Sequence, residues 1–137
     1  MAFYVDTSAA VKLVVDEPES GALHSWAVGQ SGNLVSSDLT RTELLRATRR
    51  SAPERMGRAR EVLETLVLLT VPTAVFELAG SLEPDLLRSL DAVHLAAALE
   101  LGDDLEGVVA YDTRLTHAAR ANGIVVLAPG EGPPATD

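Results

Sequence analysis

The chain has 137 residues, no cysteine, and a formal net charge of −9 from 20 acidic and 11 basic residues. That length supports one domain with a real core but not two. The missing cysteines exclude disulfides and thiolate metal sites and fit a reducing, cytoplasmic setting, while the charge argues against coating nucleic acid electrostatically. There is no charged-then-apolar leader and no apolar run near ~18 residues, so neither secretion nor a membrane span is expected.

Ala2–Val5 is an apolar run with two aromatics that reads as a buried strand ending at Asp6. Thr7 or Ser8 can cap a helix to about Val15, stopped by Asp16–Pro18. A second helix, Glu19–Val28, breaks at Gly29–Gly32, and Asn33–Ser36 reads as the second strand. Ser37 or Asp38 then caps a helix to about Arg50. Ser51-Ala52-Pro53-Glu54 has the form of a capping box and opens a long helix to about Leu66. Val67–Val71 reads as strand or as the end of that helix, and Thr73–Ser81 and Leu86–Ser89 read as helices.

From Asp91 to Leu101 the only polar side chains are Asp91, His94 and Glu100, the mark of a buried helix. Gly107–Tyr111 is a strand delivering Asp112, Thr113–Asn122 a helix closed by Gly123, and Ile124–Leu127 the last strand. Residues 129–137 (PGEGPPATD) have the composition of a disordered tail, leaving 1–128 as the domain. Strands alternating with helices imply an α/β fold. Its central sheet is mostly parallel, has about four to five strands, and is covered on both faces in three α/β/α layers.

In such sheets ligands bind beyond the C-terminal ends of the strands, where Asp6 and Asp112 sit. Asp91, at the start of a buried helix, suits either capping or chemistry. Glu43 shares a helical stripe with Leu39 and Ala47 and faces inward, unless it pairs with Arg46. Read singly, Asp6 and Asp112 are ordinary turn residues. Read together, four acids converge with no nearby lysine, since Lys12 is the chain's only one. Carboxylates ~4 Å apart repel by roughly 4 kcal/mol per pair at an effective dielectric near ~20. They would protonate or separate unless they held cations. All-oxygen donors select Mg²⁺ or Mn²⁺, and such ions activate water and neutralise phosphate. The chemistry implied is metal-dependent phosphodiester hydrolysis.

FYVDTSAAVKL, TRTELLRA, LDAVHLAAAL and VAYDTRL together resemble the PIN-domain ribonucleases, above all the toxins of VapBC-type toxin–antitoxin pairs. The resemblance runs from about Phe3 to Leu127, with every block in the family's order. It implies that Asp6, Glu43, Asp91 and Asp112 are the family's four acids, with Asp6 and Asp91 the firmest metal ligands. Glu43 and Asp112 would complete the site and help orient the attacking water. Thr7 and Ser8 would hydrogen-bond the first carboxylate or a metal-bound water. It further implies endonucleolytic cleavage of RNA, often structured RNA such as tRNA, inhibition of translation, a homodimer, and a cognate antitoxin that covers the groove.

Seven of the ten arginines fall between Arg41 and Arg60. They read as solvated helix faces, as grips for RNA phosphate, or as contacts for an acidic partner. Arg46 and Arg50 flank the Glu43 stripe and border the proposed site, and Leu45 points away from it as a candidate exposed contact. His94 reads as a hydrogen-bonded core histidine, His117 as exposed, and Trp26 as core or interface. Two rival readings stand beside the nuclease. An aspartyl-phosphate route through Asp6 needs a second acid where Ser8 stands, and a positioned lysine. A non-catalytic module would use the acids to bind a basic partner segment.

Overall fold

A computed structural model describes residues 1–132. Five strands pair in parallel: β1 (Ala2–Val5), β2 (Leu34–Ser37), β3 (Val67–Leu69), β4 (Leu105–Val109) and β5 (Val126–Leu127), in the order β3-β2-β1-β4-β5. Seven α-helices flank them: α1 (Thr7–Val14), α2 (Ser20–Val28), α3 (Asp38–Ser51), α4 (Met56–Thr65), α5 (Thr73–Ser81), α6 (Ser89–Leu99) and α7 (Thr113–Ala121). Among the described residues no helix is long and apolar enough to cross a membrane.

The strands' two-residue alternation divides the core into two layers. Tyr4 and Val108 point to one face, where they pack with Val75 of α5, Leu95 of α6 and Leu115 of α7. Val5 and Val109 point to the other, against Ala9 and Val14 of α1, Leu23 of α2, Leu44 of α3 and Val62 of α4. Trp26 belongs to this second layer, its ring edge-on to Phe3 with centroids 5.0 Å apart. Leu45 is half-buried against the same layer rather than free on the surface.

Several local expectations give way to tertiary contacts. Asp6, not Thr7 or Ser8, caps α1, its carboxylate accepting from the Ser8 amide. Ser37 stands at the cap position of α3 but makes no capping bond, because its hydroxyl is taken by Tyr4. The capping box at residues 51–54 does not form. Ser51 ends α3, Ala52 leaves helical geometry, and Pro53–Arg55 make a 3₁₀ turn before α4. No helix forms over Leu86–Ser89, and α6 begins at Ser89 with Asp91 inside its first turn. The strand expected at Gly107–Tyr111 is β4, two residues earlier, and Asp112 caps α7 through the amides of Arg114 and Leu115. Gly123 does follow α7 with φ of +76°, the left-handed conformation that favours glycine. Of the expected tail, residues 133–137 lie outside the described residues; Pro129, before them, accepts a hydrogen bond from the Tyr111 hydroxyl at 2.6 Å.

Gly107 sits in β4 where β5 crosses close by. A Cβ there would stand 2.5 Å from Leu127 Cδ1 and 2.9 Å from the Val125 carbonyl oxygen. The leucine tip can rotate away, but the Val125 carbonyl accepts from the Val108 amide at 2.8 Å and is pinned by the ladder. Gly107→Ala is therefore expected to cost about 1–3 kcal/mol through overpacking, read as a lower urea midpoint with unchanged slope.

Candidate active site

The chain builds outward from β1 to β2 and β3, then returns on the opposite side of β1 as β4 and β5. The strand order therefore reverses between β1 and β4, which in an open parallel sheet is where a ligand crevice forms. Asp6 follows β1 directly and its amide donates to the Val109 carbonyl of β4 at 3.1 Å. Ser36 closes the neighbouring strand end, donating to the Val5 carbonyl at 2.6 Å and sharing a 2.6 Å bond with Thr40.

Asp6 is buried, at 3% exposure. Its carboxylate is held by the Ser8 amide and, at 3.1 Å, by the Ser8 hydroxyl, and among the described residues no lysine or arginine pairs with it. Burial raises its carboxyl to about 6 from 3.8, against the opposing pull of His94 and the Ser8 bonds, and the negative Asp91 nearby adds to the rise. The Ser8 hydroxyl also accepts from the Tyr111 amide at 2.9 Å, tying the two strand exits together.

Glu43 is half-buried on the stripe with Leu39 and Ala47, and it is not engaged by Arg46. The Thr7 hydroxyl donates to its Oε1 at 2.7 Å, and His94 Nε2 lies 2.5 Å from the same oxygen. Burial pushes Glu43 up, but the hydrogen bonds from His94 and Thr7 and the charge of His94 outweigh it, and the carboxyl lies below its ordinary range. His94 is buried as expected, with its Nδ1 2.8 Å from the Tyr4 hydroxyl, which in turn lies 3.0 Å from Ser37 Oγ. A proton on Nε2 lets the ring donate to Glu43, while Nδ1 faces the oxygen of the Tyr4 hydroxyl, whose own proton goes to Ser37 Oγ. A core hydrogen-bond chain thus ends on a site carboxylate. A polar residue three positions after Asp91 on an otherwise apolar helix was the available signal for that link.

Asp91 and Asp112 face a cation after all. Arg88 Nε lies 3.2 Å from Asp91 Oδ2, and Arg88 Nη2 lies 3.7 Å from Asp112 Oδ2. The i, i+3 spacing of Arg88 and Asp91 is the sequence signal for this pair. Arg88, Ser89, Leu90, Asp91 and Glu43 line an open cleft of about 370 Å³. Arg46 and Arg50 are exposed on α3, on the helix that carries Glu43. Lys12 lies 3.3 Å from Glu19 and 4.8 Å above the Tyr111 ring rather than at Asp6, so an aspartyl-phosphate route lacks its lysine.

The donor set fits a hard divalent ion, being all oxygen and including a buried carboxylate short of positive charge. Among the described residues, however, no three histidine, cysteine, aspartate or glutamate side chains are grouped closely enough to hold a metal ion together. Mg²⁺ does not need such a group, since it commonly takes one or two carboxylates and keeps several waters.

The parallel sheet with its order reversing between β1 and β4 is compatible with a PIN domain, and the PIN-domain family model matches residues 3–121; the chain belongs to that family. Within it, the chain is 42% identical over 131 residues to the ribonuclease VapC47 of Mycobacterium tuberculosis (strain CDC 1551 / Oshkosh), covering 93% of this chain and 96% of that protein. It is 44% identical over 128 residues to the ribonuclease VapC46 of M. tuberculosis (strain ATCC 25618 / H37Rv), covering 93% and 98%. The fold matches the crystal structure of M. tuberculosis VapC20, a sarcin-ricin loop cleaving toxin, with a TM-score of 0.76 at 17% identity over 93% of this chain and all of that one. It also matches VapBC2 from Rickettsia felis bound to a DNA fragment from its promoter, with a TM-score of 0.68 at 13% identity, covering 93% and 98%.

Proposed function

We propose that this chain is the toxin of a VapBC-type pair, a Mg²⁺- or Mn²⁺-dependent endoribonuclease that cuts structured RNA, tRNA first among candidates, and so inhibits translation in the cytoplasm. The observation that carries the metal reading is Asp6: a carboxylate buried beside a second acid, without a lysine or arginine partner among the described residues. A cation is what such a group lacks.

Asp6 and Asp91 would hold the ion, with Asp112 behind them. When bound, it would lower the pKa of water and neutralise charge on the phosphate. Glu43, kept ionised by His94 and Thr7, is suited to take the proton of the attacking water. The new bond joins that oxygen to phosphorus, the bond from phosphorus to the leaving ribose oxygen breaks, and the leaving oxygen takes a proton from solvent. Thr7 and Ser8 orient the carboxylates on either side. Arg46 and Arg50 would grip the RNA backbone beside the cleft.

A cognate antitoxin and a homodimer complete the proposal. The R. felis neighbour is a toxin–antitoxin complex, and this chain exposes Phe76 on α5 and Leu86 and Leu90 on the approach to α6 and at its start. Large exposed apolar side chains, Leu90 among them at the rim of the cleft, suit a protein partner.

The test is cleavage of a tRNA pool by purified protein in Mn²⁺. Asp91→Ala is expected to cut at least about a hundredfold more slowly while keeping its circular dichroism spectrum. Undiminished cleavage by that variant, or wild-type cleavage that survives EDTA, would sink the mechanism.

A further inference from the structure

Arg88 stands where a cation is least welcome from its own helix. It is the residue preceding the first turn of α6, at the positive end of the helix dipole. What holds it there is a pair of carboxylates, Asp91 of the same helix and Asp112 beyond β4, reached by two different nitrogens of one planar fork. We propose that Arg88 is a built-in counter-ion that neutralises Asp91 and Asp112 while the site is free of metal, and that a divalent ion must displace it to bind. The inference rests on the metal reading of the site.

The distances support a competition rather than a shared arrangement. Arg88 spans to the two oxygens at 3.2 and 3.7 Å, whereas Mg²⁺ draws its ligands to about 2.0–2.1 Å. The guanidinium engages both carboxylates at once, so it and a small ion compete for the same oxygens. The restraint is also weak enough to yield. The Arg88 side chain is 60% exposed, and exposed pairs are stabilised only slightly. A doubly charged ion that approaches more closely wins, but its affinity is reduced by the cost of moving the arginine. The chain would then answer to metal concentration through Arg88.

Titration calorimetry with Mn²⁺ on the full chain tests this without any activity readout. Arg88→Gln is expected to bind Mn²⁺ roughly three- to tenfold more tightly than wild type, the factor that one or two exposed ion pairs represent. Arg120→Gln, on the far turn of α7, lowers the net charge by the same one unit and is expected to leave the affinity unchanged. If both glutamine variants tighten binding equally, the effect is general charge and the proposal fails. It fails also if Arg88→Gln binds as wild type does or more weakly. Asp91→Ala separates the two levels. Mn²⁺ binding that survives this variant overturns the metal site itself, whereas binding lost in Asp91→Ala but unaltered in Arg88→Gln overturns only the role of Arg88. Binding seen in Arg88→Gln and absent from wild type would support the proposal most strongly, and binding by neither would end it.

Discussion

Asp6→Asn is expected to slow cleavage at least about a hundredfold and, at the same time, to make the metal-free protein more stable at neutral pH. Burial lifts the Asp6 carboxyl to about 6 from an ordinary 3.8. A raised acid pKa means that the folded chain holds this proton more tightly than the unfolded chain does. The corresponding stability is fully present below about pH 4 and is lost as pH rises through about 6. A shift near two units corresponds to roughly 2–3 kcal/mol. Asparagine keeps the side-chain oxygen that caps α1 and removes the charge. In EDTA, urea midpoints of wild type and Asp6→Asn should coincide near pH 4 and separate by about 2 kcal/mol in the variant's favour at pH 7.5. Mn²⁺ should then stabilise wild type and not the variant. A variant less stable than wild type at pH 7.5 would show that Asp6 serves the fold rather than an ion. The same linkage makes Mn²⁺ affinity fall as pH drops below about 6, because the proton and the metal compete for one carboxylate.

His94→Ala is expected to lose both stability and activity, by separable routes. The ring is buried at 3% exposure and joins Tyr4 in the core to Glu43 in the cleft. Truncation leaves a cavity in the layer of α5, α6 and α7, and removes one of the Tyr4 hydroxyl's two partners, for a loss of about 2–4 kcal/mol in urea unfolding. It also leaves Glu43 with Thr7 as its remaining hydrogen-bond donor, so the carboxylate loses its orientation and the cleavage rate falls roughly ten- to a hundredfold. His94→Gln retains a donor long enough to reach Glu43 without restoring the ring's contact with the Tyr4 hydroxyl. Initial rates in the glutamine variant should recover most of the activity while the urea midpoint stays low. Equal rates in the two variants would mean that His94 acts on the site only through the core.

The pattern of the chain was sufficient for the α/β architecture. Apolar four-residue runs such as Ala2–Val5 alternate with longer helical stretches, and period-two and period-3.6 patterns are properties of adjacent residues. Asp6, Glu43, Asp91 and Asp112 were legible as candidates for a similar reason, since an acid at a strand exit or on an inward helical stripe stands out against apolar neighbours. What the tertiary structure decided was the partner of each polar group. Ser37 has the chemistry of a helix cap and gives it up to Tyr4, and the box at residues 51–54 fails because α3 runs on through Ser51. The strand before Asp112 ends at Val109, and beyond it the Tyr111 amide turns to the Ser8 hydroxyl while the Asp112 carboxylate caps α7. Tyr4 and His94 are 90 residues apart in sequence, and His94 and Glu43 are 51 apart. No local pattern carries such a pairing, which exists only once the sheet has brought α3 and α6 to the same edge. Arg88 lies between these cases. Its spacing to Asp91 is local, but its bond to Asp112 follows from parallel strands that set β4 beside β1 and bring the start of α7 up to the start of α6.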